Sequence, residues 1–182
     1  MSFERGLRTL PVNAVYPVEE GSTPGFHKVA LSAYNALVDL RRTIAIKQVA
    51  ALPFRDGPSG LLEVLLITSR TTKRWIIPKG NPIRGLLPHL AAAREAFEEA
   101  GISGVVKAEA IGSYGYAKVI NDGTTRAARV DVFPLAVLGR AKHWPEQHER
   151  VTEWFGLNDA ANAVEEPELK LIIAAFRHPL PA

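Results

Sequence analysis

Two hydrophobic patterns divide the chain. From Thr43 onward, apolar runs of strand length recur: Thr43–Ala51 (TIAIKQVAA), Leu62–Thr68 (LEVLLIT) and Trp75-Ile76-Ile77, the last ended by Pro78. Runs of this kind bounded by turn residues read as strands, and the turn-rich segment Arg55–Gly60 separates the first two. Further strands are expected over Val105–Gly112, Tyr114–Val119 and Arg129–Leu138, with a turn at Asn121-Asp122-Gly123 and a last short strand at Val151–Phe155. Leu87–Ala100 has a different pattern: it is alanine-rich and is followed by Gly101, a C-terminal stop, so it predicts a helix. Leu157–Val164 and Pro167–Phe176 predict two more, with Asn158 or Asp159 capping the first and Glu165 or Glu166 near the start of the second. The first forty residues lack strand signals; Pro11, Pro17, Gly21, Pro24 and Gly25 punctuate them before a short helical stretch, Val29–Leu40. Residues 1–40 therefore read as an N-terminal extension and 41–182 as one domain. Interspersed strands and helices make it α/β or α+β, with one mixed sheet.

Composition changes this picture little. A chain of 182 residues, 47% hydrophobic and 23% charged, can bury a core. There is no cysteine, which excludes disulfides and thiolate metal sites. No apolar run approaches the ~20 residues of a membrane helix, and no secretory signal opens the chain, so a cytoplasmic protein without a membrane partner is expected. The net charge of +3 and pI near 9.3 are too mild to suggest a nucleic-acid polymer as partner. Placement is more telling. Arg41, Arg42 and Lys47 lie at the first strand, and Arg70, Lys73, Arg74 and Lys79 crowd around Trp75–Pro78, where they can focus field on a polyanion.

The helix Leu87–Ala100 carries the chemistry. At about 100° per residue, Leu90, Ala93, Phe97 and Ala100 share one side, the apolar one expected to face the core. Glu95, Glu98 and Glu99 fall on the other, at i, i+3 and i+4. Like charges at that spacing repel by a few tenths of a kcal/mol per pair. A solvated helix face absorbs that cost, so the cluster alone proves nothing. A hard cation such as Mg²⁺, however, takes a few carboxylates plus phosphate oxygens and water, and basic residues stand just ahead of this helix. Arg94 can orient a neighbouring carboxylate.

The stretch Gly80–Ile102, GNPIRGLLPHLAAAREAFEEAGI, resembles the Nudix box, G-x5-E-x7-R-E-U-x-E-E-x-G-U with U aliphatic. Gly80, Arg94, Glu95, Ala96, Glu98, Glu99, Gly101 and Ile102 stand in register; the box's first glutamate is replaced by Leu86. Arg41-Arg42, Thr68-Ser69-Arg70, Arg74–Pro78 and Glu153-Trp154-Phe155 resemble the diphosphoinositol polyphosphate phosphohydrolase branch of that superfamily. The resemblance implies a Nudix-type α/β/α sandwich around a mixed β-sheet, over residues 41–182. It implies a pyrophosphohydrolase that uses Mg²⁺ or Mn²⁺ to cleave phosphoanhydride bonds. The substrate would be a nucleoside-diphosphate-linked compound, a dinucleoside polyphosphate or a diphosphoinositol polyphosphate.

It also implies site residues. Glu95, Glu98 and Glu99, with the Gly80 or Lys79 carbonyl, would hold metal; Glu98 or Glu99, with Arg94, would serve catalysis. Arg42, Ser69, Arg70 and Lys79 would bind phosphates, and Glu146 or Glu149 is a candidate for a downstream carboxylate. Leu86 leaves the metal number open and supports an alternative, a Nudix-fold sensor that binds a nucleotide or phosphate without cutting it. If position 86 belongs to the metal shell, Leu86→Glu should tighten metal binding. Trp75 and Trp154 read as core or rim residues, and a homodimer is left open.

Overall fold

The computed structural model describes residues 45–120 and 123–177, together with Ser32. The expected helix Val29–Leu40 (Ser32 apart), the start of the first strand at Thr43, the pair Arg41-Arg42 and the turn residues Asn121-Asp122 lie outside the described residues. By its contacts the chain divides into two units, Met1–Leu40 and Arg41–Ala182, and everything below concerns the second.

Eight strands form one mixed sheet: β1 (Ile46–Asp56), β2 (Leu62–Thr68), β3 (Trp75–Ile76), β4 (Lys79–Gly80), β5 (Ile102–Val106), β6 (Gly112–Val119), β7 (Thr125–Arg140) and β8 (Thr152–Gly156). β1 and β7 run parallel at its centre, from Ile46 opposite Ala128 to Phe54 opposite Ala136, and the other pairings are antiparallel. Alternation along the central strands sends side chains to two separate cores. Ala50, Leu52, Phe54, Val64, Leu66, Val130 and Val132 face one, and Val49, Ala51, Leu65, Ile67, Phe133 and Leu135 the other. The first core is closed by α2 (Leu157–Ala163) and α3 (Pro167–Ala175) through Ala160, Val164, Leu169 and Ile173. The second is closed by α1 (Pro88–Ala100) through Ala91, Ala92, Ala96 and Ala100. The result is the expected α/β/α sandwich.

Several boundaries differ from expectation. β1 continues through Pro53 to Asp56, because β7 and then β2 supply partners along that stretch. The expected strand Val105–Gly112 is two strands, with β5 starting at Ile102 and a break after Val106. Lys79 and Gly80 form a two-residue strand against Val49 and Ala50, which composition could not show. Asn158 and Asp159 do not cap α2, whose N-cap is Gly156 without a side-chain hydrogen bond.

The largest correction concerns α1. Leu90 and Phe97, expected to face the core, are each 41% exposed, while Glu99 is 5% exposed among buried alanines. The helix turns its small residues inward. Alanines let the backbone approach the sheet closely, and the inward carboxylate is compensated by specific partners.

Candidate active site

The site is assembled around Glu99. Its Oε2 accepts the Lys79 backbone N–H at 2.9 Å, fastening β4 to α1, and its Oε1 is paired with Arg150. The Arg150 side chain is only 5% exposed; its Nε donates to Glu146 Oε2 at 2.7 Å and its Nη1 to the Thr68 carbonyl at 3.0 Å. One guanidinium thus joins α1, the end of β2 and the segment before β8. Burial pushes the Glu99 carboxyl up to about 7, against the pull of Arg150 and the Lys79 N–H.

Glu95 lies one turn earlier and has no hydrogen bond or ion pair among the described residues. Its carboxylate rests on Gly80, where an added Cβ would overlap it, so the box glycine is the space the carboxylate needs. Burial raises the Glu95 carboxyl above its ordinary value, and Glu98 and Glu146 add repulsion that Lys79 and Arg150 only partly offset. Glu98 points elsewhere: its Oε1 accepts Arg94 Nε at 2.7 Å on the exposed side of the helix.

The segment that carries Glu146 is anchored to the end of α1. Ala141 N–H donates to the Gly101 carbonyl at 2.8 Å, and Glu146 N–H to the Glu98 carbonyl at 3.0 Å. Gly101 ends the helix at φ 71°, and a Cβ there would come within 2.6 Å of the Trp144 ring. Glycine at this position satisfies both the left-handed cap and the indole above it.

Gly80, Glu95, Glu99, Glu146 and Arg150 line a cleft of about 1070 Å³, which also receives Ser69, Arg70, Lys79, Tyr116 and Lys118. Arg70 is 61% exposed and reaches Glu146 and Glu149 only at 3.6 and 3.5 Å. Ser69 Oγ lies 2.7 Å from Thr72 Oγ1. Lys79 Nζ lies 5.1 Å from the centre of the Tyr116 ring; burial lowers its pKa, Glu99 opposes, and Arg150 and Lys118 reinforce the lowering. Tyr116 O–H and the Gln48 carbonyl oxygen form a hydrogen bond at 2.5 Å.

Of the residues expected from the sequence, Glu95, Glu99, Gly80, Lys79, Ser69, Arg70 and Glu146 border this cleft; Arg94, Glu98 and Glu149 do not. Arg42 lies outside the described residues. Arg74, counted with the phosphate-attracting cations, is already paired with Glu165 and Glu166 at 3.2 and 2.7 Å. Leu86 packs on the core beneath α1 and does not border the cleft. Arg150, Tyr116 and Gln48 were not singled out by sequence; the i, i+4 spacing of Glu146 and Arg150 was the one signal for the first. Among the described residues no three carboxylates or imidazoles converge as a ready metal cage. The donor set nevertheless suits a hard cation: Glu95 is an unpaired, half-buried carboxylate repelled by two others, beside a glycine backbone.

A three-layer domain of this build, with helix carboxylates facing cations across a cleft, has the charges to hold a phosphorylated ligand together with a cation. The NUDIX domain model matches residues 46–176, and the chain belongs to that family. It is 29% identical over 185 residues to Nudix hydrolase 21, chloroplastic, of Arabidopsis thaliana, covering 96% of this chain and 87% of the relative. It is 34% identical over 122 residues to diphosphoinositol polyphosphate phosphohydrolase 3-alpha of Mus musculus, covering 65% and 69%. Among solved structures, a NUDIX hydrolase from Nitrosomonas europaea aligns with a TM-score of 0.56 at 21% identity, over 75% of this chain and 93% of that one. A C. elegans Ap4A hydrolase binary complex aligns at 0.54 and 21% identity, over 71% and 93%. The two structures share the fold.

The expectation of a cytoplasmic protein is not upheld. Two of the relatives are named chloroplastic and mitochondrial. Neither the cysteine count nor the apolar content of the chain bears on delivery to an organelle. Among the described residues no helix is long and apolar enough to cross a membrane.

Proposed function

We propose that the chain is a metal-dependent pyrophosphohydrolase acting on a small molecule with linked phosphates: a dinucleoside polyphosphate, a diphosphoinositol polyphosphate or a nucleoside-diphosphate-linked compound. The observation that carries this reading is Glu95, a desolvated carboxylate without a partner among the described residues, seated on Gly80 at the floor of a cleft bordered by Lys79 and Arg70. Mg²⁺ or Mn²⁺ would be held by Glu95 and Glu99 with the Gly80 carbonyl, and by Glu98 once its side chain leaves Arg94 and turns to the cleft. When bound, such a cation neutralises charge on the phosphates and favours attack by water.

The chain's own residues do the rest. Lys79, Ser69 and Arg70 bind the phosphates along the cleft, with Arg42 assigned to the same task. Arg94 restrains Glu98 through their 2.7 Å bond. Arg150 fixes the carboxylates of Glu99 and Glu146 relative to each other. Glu146 borders the cleft and Glu149 does not, which makes Glu146 the downstream carboxylate suited to take a proton from water. The names of the relatives, which include diphosphoinositol and Ap4A hydrolases, support this substrate range.

The test is a phosphate-release screen over dinucleoside polyphosphates, diphosphoinositol polyphosphates and nucleotide sugars, with Mg²⁺, Mn²⁺ or chelator. At least one compound should be cut with metal and none with chelator. Absence of turnover throughout would refute the reading. A second reading has an observation of its own: Leu86 replaces the box glutamate, and Arg150 already occupies Glu99 and Glu146. Calorimetric binding without cleavage would identify this alternative, a sensor.

A further inference from the structure

At the end of the cleft near α3 the carboxylates outnumber the cation between them. There Arg74 faces two carboxylates, Glu165 at 3.2 Å and Glu166 at 2.7 Å, so its charge is more than cancelled. Glu166 is 6% exposed and borders the cleft, yet its Oε2 has no hydrogen-bond partner among the described residues. It is the N-cap residue of α3, but its side chain caps nothing. A buried carboxylate oxygen without a donor is costly, and neither the helix nor Arg74 relieves it. Its field reaches the buried Tyr114, whose phenol is held well above its ordinary value by burial first and then by Glu166.

We infer that Glu166, steadied by Arg74, determines specificity by accepting a hydrogen bond from an O–H or N–H of the non-phosphate part of the substrate. The terminal carboxylate torsion is soft, so Oε2 turns toward the cleft when a donor arrives. The same pair of carboxylates repels phosphate. The substrate is therefore oriented with its phosphates toward Lys79 and Arg70 and an uncharged, donor-bearing group toward α3. This rests on the function proposed above and narrows it: compounds with a nucleoside fit this direction, whereas an inositol ring phosphorylated at every position has no O–H or N–H for Glu166.

A matched pair of non-hydrolysable probes tests the inference. α,β-Methylene-ADP and methylenediphosphonate share one P–C–P group, and only the first carries nucleoside donors. Calorimetry in Mg²⁺ should show the wild-type chain preferring α,β-methylene-ADP, and Glu166→Gln should shrink that preference by about tenfold or more. Glu165→Gln, at a side chain 67% exposed, tests the inference without burial at risk. Removing one of the two charges that face Arg74, with its Glu166 contact kept, should strengthen methylenediphosphonate binding and narrow the preference about threefold. A ratio of affinities is insensitive to a fraction of misfolded protein and needs no turnover, so it is independent of the hydrolysis screen. An unchanged ratio in both variants would overturn the inference, whatever the screen shows.

Discussion

Glu99 ties three segments of the chain to one another: α1, which carries it, β4 through Lys79 N–H, and the approach to β8 through Arg150. A helical wheel showed Glu99 as one of three like charges, and nothing in the spacing distinguished it from Glu98. The difference is tertiary. Glu98 has an exposed arginine one turn back, whereas Glu99 has a buried one from a segment fifty-one residues later. Removing a single member of such a buried set leaves an uncompensated charge. Arg150→Met should therefore destabilise the fold by about 3–5 kcal/mol, and adding Glu99→Gln should recover part of the loss. Urea unfolding of both variants checks this; equal midpoints for Arg150→Met and wild type would count against the buried triad. Arg70, exposed and held only by long contacts, should behave differently. Arg70→Ala should raise KM severalfold with little change in kcat, because it removes binding common to substrate and transition state. A fall in kcat with unchanged KM would give it another role.

At the scale of elements, α1 teaches most. Its limits and its stop at Gly101 were legible, since an alanine-rich run followed by glycine has one local solution. Which side it buries was not, because that depends on how closely the helix approaches the sheet. Large apolar residues outvote alanines in a hydrophobicity pattern, yet here Ala91, Ala92, Ala96 and Ala100 make the contact. Gly101→Ala should cost more than about 1 kcal/mol, since it combines a positive φ with a collision against Trp144. A shift in the denaturant midpoint measures it, and a neutral result would mean Trp144 yields freely. The loop before α1 carries a related prediction. Leu86 packs with Ile83 against the core beneath the helix, so Leu86→Glu should lower stability and leave metal titrations unchanged. Tighter Mg²⁺ binding in that variant would put position 86 back in the metal shell.

Taken as a whole molecule, the fold class was legible because apolar runs of strand length and helical stretches are interspersed along the chain, and the box motif implied which sandwich they build. The distribution of charge was legible only in part. Counting Arg70, Lys73, Arg74 and Lys79 as one basic patch ignored Glu165 and Glu166, which lie some ninety residues away in sequence and neutralise Arg74. Lys73 likewise donates to the Glu149 carbonyl at 3.1 Å, along the outer edge. Residues from the loop after β2, from β4, α1 and β6, and from the segments before β8 and α3 make the cleft, and no local window contains them.

The central claim is that the carboxylates on α1 serve metal-dependent phosphoanhydride hydrolysis, and Glu95 tests it most directly. Glu95 has no structural partner among the described residues, so Glu95→Gln leaves the Arg150 and Lys79 bonds in place and removes one negative charge from the cleft. Turnover of the best substrate from the screen, measured under saturating Mg²⁺, should fall by at least about 100-fold, with the unfolding midpoint unchanged or raised. Near-native turnover in a folded Glu95→Gln protein would contradict the account and move the chemistry away from this helix.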